Sequence, residues 1–145
     1  MPQVVAIAYK TQKRGAMQEV STALVTKESG VGQDIYGRPG KRQVTVMSRQ
    51  QWQAACETVE QDLPWTTRRA NIMVDGVEFN ASFVGKQFII GDLVLEVTGE
   101  TDPCKKMEMA CPGLEAALAV DWRGGVTCRV IESGQITVMD NITAV

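Results

Sequence analysis

No histidine occurs among the 145 residues. That absence excludes Ser-His-Asp and Cys-His nucleophile pairs, removes the commonest general base near neutral pH, and takes away the ligand on which most zinc sites rely. Aromatic residues make up only 6% of the chain and are rarely interleaved with basic ones, so a nucleic-acid surface built on stacking and phosphate contacts is not indicated. No apolar run approaches the ~20 residues that a membrane-spanning helix needs. The N-terminal stretch MPQVVAIAYKTQKRG lacks the basic leader and cleavage site of a secretory signal. Glycine-rich phosphate loops of the P-loop or dinucleotide type are missing as well. The expectation is a cytoplasmic protein with neither a membrane nor a nucleic acid as partner.

What is present fits an ordinary globular domain. Apolar residues make up 44%, charged residues 22%, and the net charge is -2. A chain of this length can bury a core without staples, so a single domain over residues 1–145 is expected. The small net charge gives no global attraction for anions, and any anion site must come from a local basic cluster. Cys56, Cys104, Cys111 and Cys128 are separated by 47, 6 and 16 residues. That spacing contains no C-x-x-C pair for a zinc ribbon or a dithiol couple. In a reducing compartment the thiols are expected to be free.

Apolar and polar residues alternate in seven glycine-bounded segments: Val4 to Tyr9, Val20 to Lys27, Arg42 to Ser48, Asn71 to Phe79, Gln87 to Gly99, Gly125 to Gly134 and Gln135 to Val145. Period-two alternation marks strands. The turns Asp75-Gly76, Ile90 to Asp92 and Glu132 to Gln135 each offer a residue tolerant of positive φ. Two segments read as helix. Ser48 to Leu63 opens on an N-cap serine, places Trp52, Ala55, Cys56 and Val59 on one face, and stops before Pro64. CPGLEAALAVDW places Leu114, Ala117, Leu118 and Val120 at helical spacing after Pro112, a proline suited to a first helical turn. The pattern predicts a mostly β fold, a closed or strongly coiled, mainly antiparallel barrel with two or more short flanking helices. The irregular, glycine-dense stretch Glu28 to Gln43 is a candidate wall of a site.

Cys104 is the candidate for reactive chemistry. Pro103 fixes the backbone ahead of it, and Lys105 and Lys106 follow it. These cations, joined by unpaired backbone N–H groups if a helical turn starts there, favour the thiolate that metal ligation or sulfur transfer requires. Cys56, Cys111 and Cys128 sit among apolar neighbours and read as core. In TTRRANIMVDG, Arg69 and Asn71 share one face of an extended segment, a pairing matched to a phosphate or another oxyanion. In DWRGGVTCRV, Gly124 and Gly125 either let the backbone approach a ligand or form a tight turn.

Taken in order, GVGQD, KRQVTVMSRQQW, DLPWTTRRANIMVDGV, GKQFIIGDLVLEVTGETDPCKKM and PGLEAALAVDWRGGVTCRVIESGQITVMD resemble the MOSC domain, named for the C-terminal part of molybdenum cofactor sulfurases. The chain looks like a small standalone member. The resemblance implies a barrel-like β fold that binds the molybdenum cofactor or carries activated sulfur. It makes Cys104 the catalytic cysteine, bearing a persulfide or ligating molybdenum, and Arg69, Asn71, Lys105, Arg123 and Asp34 cofactor-binding residues. Asp34 keeps the aspartate of the family's loop motif, whose nearby histidine this chain lacks. Pyridoxal phosphate is expected only on a partner cysteine desulfurase, and a molybdoenzyme is the other expected partner. The alternatives are a molybdenum-dependent reductase of N-hydroxylated compounds fed by a separate electron donor, and a noncatalytic interaction module.

Overall fold

The computed structural model describes residues 2–145. Eleven strands and three short α-helices follow one another as β1 (Gln3–Tyr9), β2 (Gln18–Val20), β3 (Thr22–Thr26), β4 (Gly30–Val31), β5 (Val44–Ser48), α1 (Arg49–Val59), β6 (Ile72–Asp75), β7 (Gln87–Ile90), β8 (Leu93–Glu100), α2 (Lys105–Ala110), α3 (Leu114–Ala119), β9 (Val126–Glu132), β10 (Gly134–Thr137) and β11 (Thr143–Ala144). Single 3₁₀ turns occupy Trp65–Thr67 and Ala81–Phe83.

Eight strands form one strongly curled sheet in the order β11-β7-β8-β9-β5-β6-β1-β2, and β10-β3-β4 form a second. The expected mostly β, mainly antiparallel architecture is what the structure has. The large sheet contains one parallel pair, β5 with β6, and α1 supplies the crossover that such a pair requires. The segment before β11 stitches the curl together: Val4 N donates to the Asp140 carbonyl at 2.9 Å and Ile142 N to that of Pro2 at 3.0 Å.

Both faces of β1, β5 and β6 are covered, and this determines where a site can lie. Ile7, Val44, Val46, Ile72 and Val74 point into the curl with Phe79, Phe88 and Leu95. Ala8, Met47 and Met73 point the other way, under Trp52, Trp65, Met107, Leu114 and Leu118 of the helical layer. Strands buried on both sides lose the polar alternation of a half-exposed sheet, and all five residues of β5 are buried.

Helix α1 starts where expected, Ser48 Oγ accepting from Gln51 N at 3.3 Å. It ends earlier than Pro64 requires, because Glu60 takes the left-handed conformation (φ 56°) and closes the last turn onto the Cys56 and Glu57 carbonyls. Several predicted strands are shorter. Asn71 to Phe79 is strand only to Asp75, since Gly76 turns at φ 86° and Gln51 holds Phe79 through both its N–H and its carbonyl. Val20 to Lys27 divides at Ser21 between the two sheets. Gln135 to Val145 breaks after Thr137, whose N–H is capped by Asp140 Oδ2 at 2.8 Å. Gly134 was expected to serve a positive-φ turn. It lies inside β10 instead, where a Cβ would strike the Leu93 backbone.

Candidate functional site

One cleft collects the chemistry. It encloses about 570 Å³ between the end of β1, the glycine-dense loop, the lead-in to β6, and the junction of β8 with α2. Lys10, Arg42, Arg68, Arg69 and Lys106 line it, and Asp102 is its single acidic residue. Five cations against one carboxylate make a local positive field in a chain of net charge -2. Among the described residues the three ion pairs join Lys27 to Glu132, Arg49 to Asp75 and Arg129 to Glu96, so none neutralises a cleft cation.

Cys104 lines this cleft and is exposed. Pro103 and the extended backbone of Cys104 (φ -124°, ψ 173°) place it as the N-cap of α2, with its carbonyl accepting from Met107 N at 2.9 Å. Its sulfur makes no capping bond and is left facing the cleft. Met107 and Cys111, buried beneath, anchor α2 to the helical layer. Cys111 and Cys128 are buried and Cys56 is half-buried; all four thiols are unpaired. Burial pushes the Cys128 and Cys56 thiols up, the latter helped by Asp62 and Cys111 and opposed by a hydrogen bond from the Leu63 backbone.

Arg69 and Asn71 do not share one exposed face. Arg69 is exposed on the cleft wall with its guanidinium 4.2 Å from the Tyr36 ring centroid, and Lys10 Nζ lies 5.6 Å from the same ring. Asn71 is buried beneath and fully engaged. Its Oδ1 accepts from Thr45 N at 3.0 Å, and its Nδ2 donates to the Ala8 carbonyl at 3.2 Å and to Asp34 Oδ2 at 3.3 Å. Asp34, also buried, accepts from Lys10 N through Oδ1. Asn71 and Asp34 therefore fix the strand ends and the loop that carry Arg69, Lys10 and Tyr36. Lys105 is exposed at the start of α2, beside the cleft residues but not lining it. Arg123 lies elsewhere, donating to Thr58 Oγ1 at 3.1 Å and to the Ala117 carbonyl at 3.3 Å.

The glycine-dense loop does form a wall, contributing Tyr36 and Arg42. Gln43 holds it in place, donating to the Lys27 and Gly37 carbonyls at 2.7 and 3.0 Å and accepting from Val130 N. Gly124 and Gly125 make close backbone approaches to the protein itself: a Cβ on the first would meet the Thr101 carbonyl and on the second the Val46 carbonyl.

Two cleft residues escaped the sequence reading. Arg68 is only 5% exposed; Nη2 donates to the Gly124 carbonyl at 2.8 Å, while Nε has no partner. Thr101, 9% exposed, has an unpartnered Oγ1. Burial pushes Arg68 below the usual guanidinium range, the Cys104 sulfur opposing that shift and Arg69 adding to it. The available signal was the Arg68-Arg69 pair itself, since alternation ahead of a strand sends one of two neighbours inward.

A more open groove of about 720 Å³ lies over α1, between Trp52, Leu63 and Trp65. Its rim carries Glu57, Glu60 and Asp62, and Arg49 there is paired with Asp75. It contains Cys56 but neither Cys104 nor a cationic cluster. Size alone does not make it the site. Among the described residues no group of three or more His, Cys, Asp or Glu side chains could hold a metal ion, and no helix is long and apolar enough to cross a membrane.

The family model described as MOSC domain matches residues 24–143, most of the chain and all of the cleft residues from Tyr36 to Ala110. This chain belongs to the MOSC domain family. Solved structures show the same fold. The YuaD protein from Bacillus subtilis aligns with a TM-score of 0.80 at 16% identity, over 99% of this chain and 96% of that one. YiiM from Geobacillus stearothermophilus gives 0.78 at 17%, over 100% and 75%, and YiiM from Escherichia coli 0.74 at 15%, over 99% and 69%. No curated protein matches the sequence of this MOSC domain.

Proposed function

We propose that this MOSC domain handles activated sulfur through Cys104, which takes a sulfur atom as a persulfide and presents it inside the cationic cleft. The observation that carries this reading is the exposure of the Cys104 thiol in a cleft of five cations and one acid. A carrier thiol has to be reachable by donor and acceptor, and only the thiolate attacks. The Cys104 thiolate attacks the terminal sulfur of a donor persulfide, a new S–S bond forms, and the old one breaks with its electron pair leaving on the donor thiolate. The cations then stabilise the persulfide anion and attract an anionic acceptor. Pyridoxal phosphate, in this scheme, belongs to a partner desulfurase.

Incubation of the purified chain with a cysteine desulfurase and cysteine is expected to add one sulfur to the Cys104 peptide by mass spectrometry. Labelling that persists unchanged in Cys104→Ser would overturn the reading.

A second reading has its own support in the dimensions and donors of the cleft. Its volume lies within the range of about 300–1,000 Å³ usual for cofactor sites, and the orphaned Arg68 Nε and Thr101 Oγ1 are donors suited to an anionic group. The pterin molybdenum cofactor fits that donor set: Arg42, Arg69 and Lys106 would hold its phosphate and Cys104 would offer the metal a thiolate. When bound, it would supply redox chemistry for reducing N-hydroxylated compounds with electrons from a separate reductase. Near-stoichiometric molybdenum in protein from a cofactor-competent host is the expected result; a blank removes this reading and leaves the first.

A further inference from the structure

Arg68 and Thr101 line one cleft from separate parts of the chain, and each carries a buried side-chain polar atom without a partner. Gly124, beside the cleft, packs against both, through the Arg68 side chain and the Thr101 main chain. Its carbonyl accepts from Arg68 Nη2, and a Cβ on it would lie 3.5 Å from that same nitrogen and against the Thr101 carbonyl. Arg68 is thereby held by one nitrogen while Nε, buried, stays unpartnered, as does Thr101 Oγ1. Buried donors without partners are rare in folded proteins, because each costs the lost hydration of its group. A cationic N–H and a hydroxyl on residues lining one cleft offer donors to an oxyanion. Thr101 is three residues from Cys104, and all three residues line one cleft.

We propose that Arg68 and Thr101 form an oxyanion subsite that seats the sulfonate end of thiosulfate or a related thiosulfonate, giving Cys104 a small-molecule sulfur donor. The proposal rests on the reading of Cys104 as a sulfur carrier and adds a substrate class to it. Cys104 thiolate attacks the outer sulfur of thiosulfate. A Cys104 S–S bond forms, the S–S bond of thiosulfate breaks, and its electron pair departs with the sulfonate as sulfite. The cysteine is left as a persulfide anion, total charge is conserved, the sulfonate sulfur is reduced, and the Cys104 sulfur is oxidised in the same step. No other oxidant is needed. Arg68 Nε and Thr101 Oγ1 donate to the sulfonate oxygens while charge builds on the departing sulfite, the point at which fixed donors aid the reaction most. The outer cations Lys10, Arg42, Arg69 and Lys106 draw the dianion in.

The experiment uses the full chain and thiosulfate, with no desulfurase, and follows sulfite release together with the mass of the Cys104 peptide. Wild type is expected to release one sulfite for each persulfide formed. Thr101→Val and Arg68→Lys are expected to lower the second-order rate constant for loading by thiosulfate by about tenfold or more. Alkylation of Cys104 by neutral iodoacetamide in each variant verifies that the thiol is still reachable. Thr101→Val has a second readout: replacing an unpartnered buried hydroxyl by a methyl should hold or raise the thermal midpoint, whereas a hydroxyl with a structural bond would lower it. Absence of sulfite release from wild type, or equal rates in wild type and both variants, overturns the inference. If thiosulfate fails where a desulfurase loads Cys104, the subsite is wrong and the carrier reading stands; if neither loads it, both fall.

Discussion

The carbonyl of Gly124 accepts a 2.8 Å hydrogen bond from Nη2 of Arg68. This ties the segment before β6 to the turn before β9, and the same glycine packs against the carbonyl of Thr101 at the end of β8. Three strands that are distant in sequence are thus held at one point beside the cleft. Gly124→Ala inserts a methyl group where backbone already stands, and a backbone neighbour cannot rotate aside. The substitution should cost about 1–3 kcal/mol, measured by urea denaturation, and should weaken anion binding in the cleft more than Arg69→Ala does at matched folded fraction.

Asn71 gives a different kind of prediction, because its amide is used in full by the fold. It bridges β5, β1 and the Asp34 loop through three hydrogen bonds. Asn71→Ala leaves the Thr45 N–H, the Ala8 carbonyl and the Asp34 carboxylate short of partners in the interior. A loss of about 2–4 kcal/mol is expected, at roughly 1–3 kcal/mol per orphaned group with partial relaxation. The denaturation midpoint checks it. Because the loop beneath Tyr36 loosens, the variant should also bind anions less well, although its side chain never reaches the cleft.

Asn71 shows why the fold was more legible than the site. Alternation and glycine turns identified β1, β5, β7, β8 and β9, and the serine cap identified α1, because these are local preferences written in adjacent residues. The resemblance pointed to Cys104 and Arg69, and the structure places both on one cleft. Pairing Asn71 with Arg69 assumed an extended segment with one exposed face, and burial of β6 on both sides breaks that assumption. Arg123 is engaged by α1 and α3 through contacts that spacing cannot reveal. Arg68 and Thr101 were missed for a similar reason: that their side chains are buried with a polar atom unpartnered follows from tertiary packing, which adjacent residues do not record.

The four thiols should react in a definite order. Cys104, exposed on its turn, is expected to be alkylated first by iodoacetamide in native protein. Cys56 is half-buried and its thiol is raised by burial, so it should follow more slowly, its rate climbing at a pH above that of an ordinary cysteine. Cys111 and Cys128 should label only after denaturant is added, Cys128 because complete burial both shields it and holds it protonated. Timed peptide mapping across a pH series measures the order. Modification of Cys128 before Cys104 in native protein would contradict the packing described above.

Glu100, at the end of β8 and close to Asp102, supplies a pH signature in the stability of the fold. Burial raises its carboxyl above the ordinary range, and the negative Asp102 raises it further. A carboxyl whose folded pKa exceeds its unfolded one opposes folding when ionised. That penalty is present above the folded pKa, fades as pH falls through it, and is gone below the unfolded value near 4.3. Glu100→Gln removes the charge and keeps the shape, so the variant should have a higher thermal midpoint than wild type at pH 7, with the gap closing on acidification. Salt should narrow the gap only in part, because screening weakens the repulsion from Asp102 and leaves the burial contribution, the larger of the two, in place. Thermal scans from pH 4 to pH 8 at low and high salt test this, and a wild-type midpoint at or above the variant's at pH 7 would show that Glu100 is stabilised by a contact rather than strained by burial.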